Sequence, residues 1–127
     1  MSNTVKPYAW VLFVRPGYEL EYQRRHDELW PDMYAELDAS GIKKYHIFRH
    51  GLTLFGYFET ADIAATQAYL AASDINAKWS EYMAPIMQVD IDPVTNFPFL
   101  LPQMMDFNEG AVAATLPEAL AKISRQS

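Results

Sequence analysis

Two extended runs, Lys44 to Arg49 and Leu52 to Glu59, are separated only by His50-Gly51, and this junction constrains the fold more than any other feature of the chain. Runs of β-branched and aromatic residues on either side of a glycine that can supply positive φ predict a tight antiparallel hairpin. Both flanks of that hairpin are helical in pattern. From Tyr18 to about Leu37 the apolar residues recur at helical spacing, Pro31 predicts a break near Trp30, and Gly41 predicts the end. After the hairpin, Thr60 or Asp62 can cap a helix carrying Ile63, Gln67 and Leu70. Ser73 or Asp74 can cap a second helix with Ile75, Trp79, Tyr82, Met83 and Ile86 turned inward, and Pro85 marks a further break. Tyr8 to Val14 (YAWVLFV), closed by Pro16-Gly17, reads as a first strand buried on both faces. Met104 to Phe107 reads as a short last strand, and Leu116 to Ile123 as an alanine-rich amphipathic helix.

The resulting order β-α-β-β-α-β, with helices on one face of an antiparallel sheet, defines an α+β class of ferredoxin-like type. Residues 1–109 are expected to form the domain and residues 110–127 a C-terminal helical extension or arm. The 127 residues suffice for one core, though a thin one. Phe55 and Tyr57 on one side of the hairpin, and Leu52, Leu54 and Phe58 on the other, make both sheet faces apolar. Helices can cover only one, so a homodimer is the expected means of burying the second.

Charge and composition narrow the partners. Ten Lys+Arg against sixteen Asp+Glu leave a formal net charge of −6, which opposes a phosphate-backbone partner and accommodates a neutral small molecule. The absence of cysteine excludes disulfides, thiolate catalysis and Cys-based metal sites. Met1 to Pro7 lacks a signal-peptide pattern, and no apolar run approaches the roughly 20 residues needed to cross a bilayer. A cytoplasmic protein with no nucleic-acid or membrane partner is expected.

The chemistry concentrates in Glu21 to Pro31. Tyr22 and His26, four residues apart, share one helix face with Leu29, Trp30, Met33 and Leu37, so a phenol and an imidazole stand on the stripe that seeks the core. Imidazole titrates near neutrality, at about 6.5 unperturbed, and a semi-buried phenol remains a hydroxyl donor, which suits acid–base work without a metal or cofactor. Each residue also has a plainer reading. His26 can be a hydrogen-bonded core residue, Tyr45 a cross-strand packing residue, Trp79 core, and Arg24 and Arg25 solvated partners of Glu21 and Glu28. Met104-Met105 reads as interface or core filler. His46 and His50 lie on extended backbone and a turn, so no two-His metal site is expected.

Several blocks resemble the L-rhamnose mutarotases, small cofactor-free sugar epimerases of dimeric ferredoxin-like fold. They are EYQRRHDELWPDM from Glu21 to Met33, GIKKYHIF from Gly41 to Phe48, LTLFGYFE from Leu52 to Glu59 and WSEYMAPIM from Trp79 to Met87, in register from about Tyr8 to Met87. The resemblance implies a homodimeric isomerase acting on a monosaccharide, with His26 as the catalytic proton donor and Tyr22, Tyr45 and Trp79 binding the sugar. Trp30 and Met83 would line the pocket and exclude water. Ser80 stands where the family carries the second of two adjacent tryptophans, and NFPFLLPQMMDFNEG departs from the family's compact final strand, which exchanges between subunits. His26 would protonate the ring oxygen of the sugar and recover the proton on closure. Two other readings remain open: a cofactor-independent monooxygenase of the same dimeric ferredoxin-like superfamily, and a non-catalytic sugar-binding dimer.

Overall fold

The computed structural model describes residues 4–88 and 91–107. Its elements are β1 (Lys6–Phe13), α1 (Glu19–Asp27), α2 (Pro31–Ala39), β2 (Ile42–His50), β3 (Thr53–Thr60), α3 (Ile63–Ala72), α4 (Asp74–Met83), a 3-10 turn at Ala84–Ile86, and the two-residue strands β4 (Ile91–Asp92) and β5 (Phe97–Pro98). The protein is therefore α+β, and the hairpin is the β2–β3 pair, turning at Gly51 with φ 60°. The antiparallel sheet runs β1-β3-β2, so β3 sits in the middle and the two crossovers, α1–α2 and α3–α4, close against it. Past α4 the chain returns beside the far edge of β1. Met87 bridges Val14, and the backbone N–H of Gln88 donates to the Phe13 carbonyl at 2.8 Å.

The helix boundaries follow from local chemistry. Pro31 lacks the donor needed to continue α1, and it opens α2 after Trp30 takes extended angles (φ −58°, ψ 135°). Asp62 caps α3 through the Ala65 N–H at 3.1 Å, and Ser73 caps α4 through the Asn76 N–H at 3.0 Å. The Ser73 hydroxyl in turn donates to Glu36 at 2.5 Å, which ties the start of α4 to α2. A buried relay closes the same end of the sheet. Thr66 Oγ1 donates to the Ser40 carbonyl at 2.7 Å, so the 2.8 Å contact between Thr60 and Thr66 has Thr60 as its donor.

Alternation decides what the sheet shows to each side. Trp10, Leu12, Leu54 and Phe58 point into the core with Tyr22, Ile42, Leu70, Met83 and Ile86. The opposite face carries Phe13, Phe48 and Phe55, exposed by 46, 65 and 43 %. β1 is thus buried on one face only, contrary to the doubly buried strand its apolar run predicts; an unbroken apolar run does not reveal that, among the described residues, only one face has a helix against it. Three further expectations change. Met104 to Phe107 forms no strand, since no neighbouring strand pairs with it, and Met104 is 91 % exposed. The residues α3 buries are Thr66 and Leu70, with Gln67 half-buried, and Tyr82 of α4 is exposed. The predicted boundary at Gly110 and the helix from Leu116 to Ile123 lie outside the described residues. No helix among the described residues is long and apolar enough to cross a membrane.

Candidate active site

Between the inner face of the sheet and the helices lies a cavity of about 930 Å³. Tyr22, His26 and Met33 line it from α1 and α2, Tyr45 and Ile47 from β2, and Trp79, Ser80 and Met83 from α4. The β4–β5 hairpin supplies the remaining wall through Ile91 and Phe97. This is the size range of pockets that enclose small molecules.

One turn of α1 brings Tyr22 and His26 together. Their rings stack with centroids 4.1 Å apart and 25° between planes, and His26 Nδ1 lies 3.0 Å from the Tyr22 carbonyl oxygen. A carbonyl only accepts, so Nδ1 carries the proton, and in the neutral ring Nε2 keeps its lone pair. Burial pushes the His26 pKa below its ordinary value, the opposing pull of the Tyr22 carbonyl being smaller, so the ring is neutral at neutral pH. Trp79 stands edge-on to this imidazole, with centroids 5.4 Å apart at 85°.

Tyr45 reaches the cavity from the sheet. Its hydroxyl accepts the Trp10 indole N–H at 2.9 Å, and its ring packs against Phe58 and Phe97 at 5.7 and 6.2 Å. Burial pushes both phenols, Tyr22 and Tyr45, well above the ordinary tyrosine range, so both remain O–H groups.

The structure thus brings His26, Tyr22, Tyr45, Trp79 and Met83 to one cavity, while Trp30 stands outside the lining. The break at Pro31 takes Trp30 off the α1 stripe and sets it behind Trp79, edge-on at 5.1 Å, and beside Tyr82 at 5.4 Å. It braces the wall instead of forming it. From the other side Arg25 braces the same cluster, its guanidinium 4.1 Å above the Tyr82 ring and donating to the Tyr82 carbonyl at 2.7 Å. Arg25 also donates to Glu21 at 2.8 Å, and it is far less exposed than the solvated partner its plain reading predicts.

Two residues that the sequence leaves without a role complete the site. Trp10 fixes the Tyr45 hydroxyl. Asn76, buried, donates through Nδ2 to the carbonyls of Leu70 at 3.1 Å and Asn96 at 3.0 Å, which holds the β4–β5 hairpin against α4. An amide three residues before Trp79 and seven before Met83 shares their stripe, and a polar residue on a buried stripe is the signal that could have found it.

A neutral imidazole with one nitrogen tied off and the other bare can take a proton from a bound hydroxyl and give it back, and two phenols that stay protonated can hold neighbouring oxygens. Such a site suits acid–base chemistry on a small hydroxylated molecule. Comparison with known proteins agrees. A model of the L-rhamnose mutarotase family matches residues 7–104. An L-rhamnose mutarotase of Listeria monocytogenes is 44 % identical over 82 residues, covering 63 % of this chain and 78 % of that protein. One of Enterococcus faecalis is 43 % identical over 91 residues, covering 68 and 87 %. The crystal structure of an L-rhamnose mutarotase from Formosa agariphila superposes with a TM-score of 0.64 at 30 % identity, covering 81 % of this chain and 97 % of that one. The chain belongs to the L-rhamnose mutarotase family. It is a sugar mutarotase, an isomerase that interconverts α and β anomers.

Proposed function

We propose that the substrate is L-rhamnose or a related aldose, and that His26 shuttles the single proton the reaction moves. Ring opening transfers a proton from the anomeric oxygen to the ring oxygen. The O–H electrons become the C=O of the open aldehyde, and the broken C–O pair stays on the former ring oxygen. Both oxygens are bonded to the same carbon, so one imidazole nitrogen can serve both. Nε2 takes the anomeric proton and the resulting imidazolium hands it to the ring oxygen; closure after rotation reverses the steps. The observation that carries this reading is the 3.0 Å contact of His26 Nδ1 with the Tyr22 carbonyl, which leaves Nε2 as the nitrogen able to accept a proton on a ring that lines the cavity. It refines the proton-donor role that the family resemblance implies, because a ring kept neutral by burial begins as a base.

Tyr22 and Tyr45 hold sugar oxygens, and Trp79 offers an apolar ring face to the C–H side of the sugar. The chain works as a homodimer of ferredoxin-like subunits packed through the outer sheet face, where Phe13, Phe48 and Phe55 would otherwise face water. Saturation-transfer NMR on the anomeric protons of L-rhamnose, near neutral pH, tests the reading. Faster exchange with the wild type and none with His26→Ala is the expected outcome. Equal acceleration by both proteins would remove His26 from the mechanism, and acceleration by neither would remove L-rhamnose as substrate.

A further inference from the structure

The Tyr45 hydroxyl is held from across the sheet. Register sets Trp10 opposite Gly56 and Tyr45 opposite Phe58, so the indole must pass over the central strand to reach the phenol on the far one. It passes because position 56 has no side chain. A Cβ there would lie 1.9 Å from Trp10 Cε2 and 2.4 Å from Nε1. Trp10 is 2 % exposed, and its ring meets that of Tyr45 at 70° with centroids 6.4 Å apart, a geometry that directs N–H to oxygen.

An indole N–H can only donate, and a phenol hydroxyl has one proton to give. With Trp10 donating into a lone pair of the Tyr45 oxygen, the hydroxyl proton must point elsewhere, and no group among the described residues accepts it. Tyr45 lines the cavity, so that proton is offered to whatever the cavity holds. We propose that Trp10, seated over Gly56, is a positioning residue that makes the Tyr45 hydroxyl a dedicated hydrogen-bond donor to the ring oxygen of the bound sugar, an inference that rests on the aldose mutarotase reading above.

The chemistry of the sugar matches this polarity. A pyranose ring oxygen has no proton and can only accept, whereas the anomeric hydroxyl must lose one. The site presents a donor, Tyr45 O–H, and an acceptor, His26 Nε2. As the C–O bond to the ring oxygen breaks, negative charge grows on that oxygen, and a donor already aimed there stabilises it without moving. Tyr45 keeps its own proton throughout; the one that ends on the ring oxygen is the one His26 took from the anomeric hydroxyl. Burial, which outweighs the indole's opposing effect, keeps the phenol protonated.

Trp10→Phe, Tyr45→Phe and the double variant test this through anomer exchange of L-rhamnose, with thermal melts alongside. Trp10→Phe is expected to lower kcat by about tenfold while KM changes by less than about twofold, the pattern of an interaction that strengthens in the transition state. Tyr45→Phe should lower kcat at least as far, and the double variant should match Tyr45→Phe alone, because Trp10 acts only through that hydroxyl. An unchanged kcat in Trp10→Phe, or losses that multiply in the double variant, would overturn the proposal. If Trp10→Phe melts below the assay temperature, benzothienylalanine at position 10 keeps the ring shape without the N–H and carries the same expectations. A readout free of activity is the ¹³Cζ resonance of Tyr45 in the unliganded protein, which should move on loss of the indole N–H. A resonance that stays put would break the Trp10 link even in an active enzyme. An inactive wild type would remove the substrate and the ring-oxygen step, with the ¹³Cζ comparison still deciding whether Trp10 holds the hydroxyl.

Discussion

The two faces of the central sheet carry comparable aromatic weight and opposite fates. Inward, Trp10, Leu54 and Phe58 are buried under four helices, and Gly56 leaves a hollow among them that the indole crosses. Outward, one residue along each strand, Phe13, Phe48 and Phe55 are exposed, with no helix of the described residues over them. The difference lies in what the described helices cover, not in the strands. Alternation distributes apolar side chains evenly to both sides, and polar groups stand on both as well: His46 stacks on Tyr57, which donates to Glu59, on the outer face, while the inner face gathers Tyr22, His26 and Tyr45 around a cavity. The chemistry proposed above belongs to the face that the described helices close, and the other is the face proposed for association.

The largest effect that would sharpen this contrast is His26→Ala. Anomer exchange should fall about 10²- to 10⁴-fold, the usual contribution of a positioned acid–base group, with little change in melting temperature. Parallel losses of activity and stability would make the inner face a mere core. Gly56→Ala comes next. Its Cβ collides with the indole, and overpacking of this kind costs about 1–3 kcal/mol in urea denaturation, with activity falling as Trp10 is displaced. On the outer face, Phe48→Asp should shift light scattering from dimer towards monomer while the sheet survives by circular dichroism; an unaltered mass would detach this face from association.

The smallest effect is that of pH. Burial holds the folded-state pKa of His26 below its ordinary 6.5, so the unfolded chain binds the proton more readily. Stability is therefore complete above about pH 6.5 and declines as pH falls from there through the folded-state value. Urea midpoints followed from pH 7.5 downward should show this slope in the wild type and a shallower one in His26→Gln. Equal slopes would place the acid sensitivity elsewhere.

Sequence alone made much of this legible, for physical reasons that vary by element. The hairpin and the caps at Asp62 and Ser73 are local: a glycine, an aspartate or a serine satisfies nearby backbone whatever the rest of the chain does. Tyr22 and His26 share one turn, so their stacking follows from spacing. The bond from Trp10 to Tyr45 spans 35 positions and depends on strand register and on an empty position in a third strand, so no local pattern announces it. Trp30 fits the stripe only if the helix runs on, and the same Pro31 that the sequence displays removes it from the cavity. Met104 to Phe107 has strand composition but no ladder, because pairing is a property of two segments and composition belongs to one.

The close passage of Trp10 over Gly56 also couples what these two positions can carry. A side chain at position 56 cannot stand beside the indole of position 10 while that indole keeps its present place. A chain that gains the first while keeping the second must swing the indole off the Tyr45 hydroxyl, and an indole seated there requires glycine beneath it. The two positions are therefore sterically coupled, and a small side chain at position 56 becomes compatible with the sheet once position 10 carries a smaller residue.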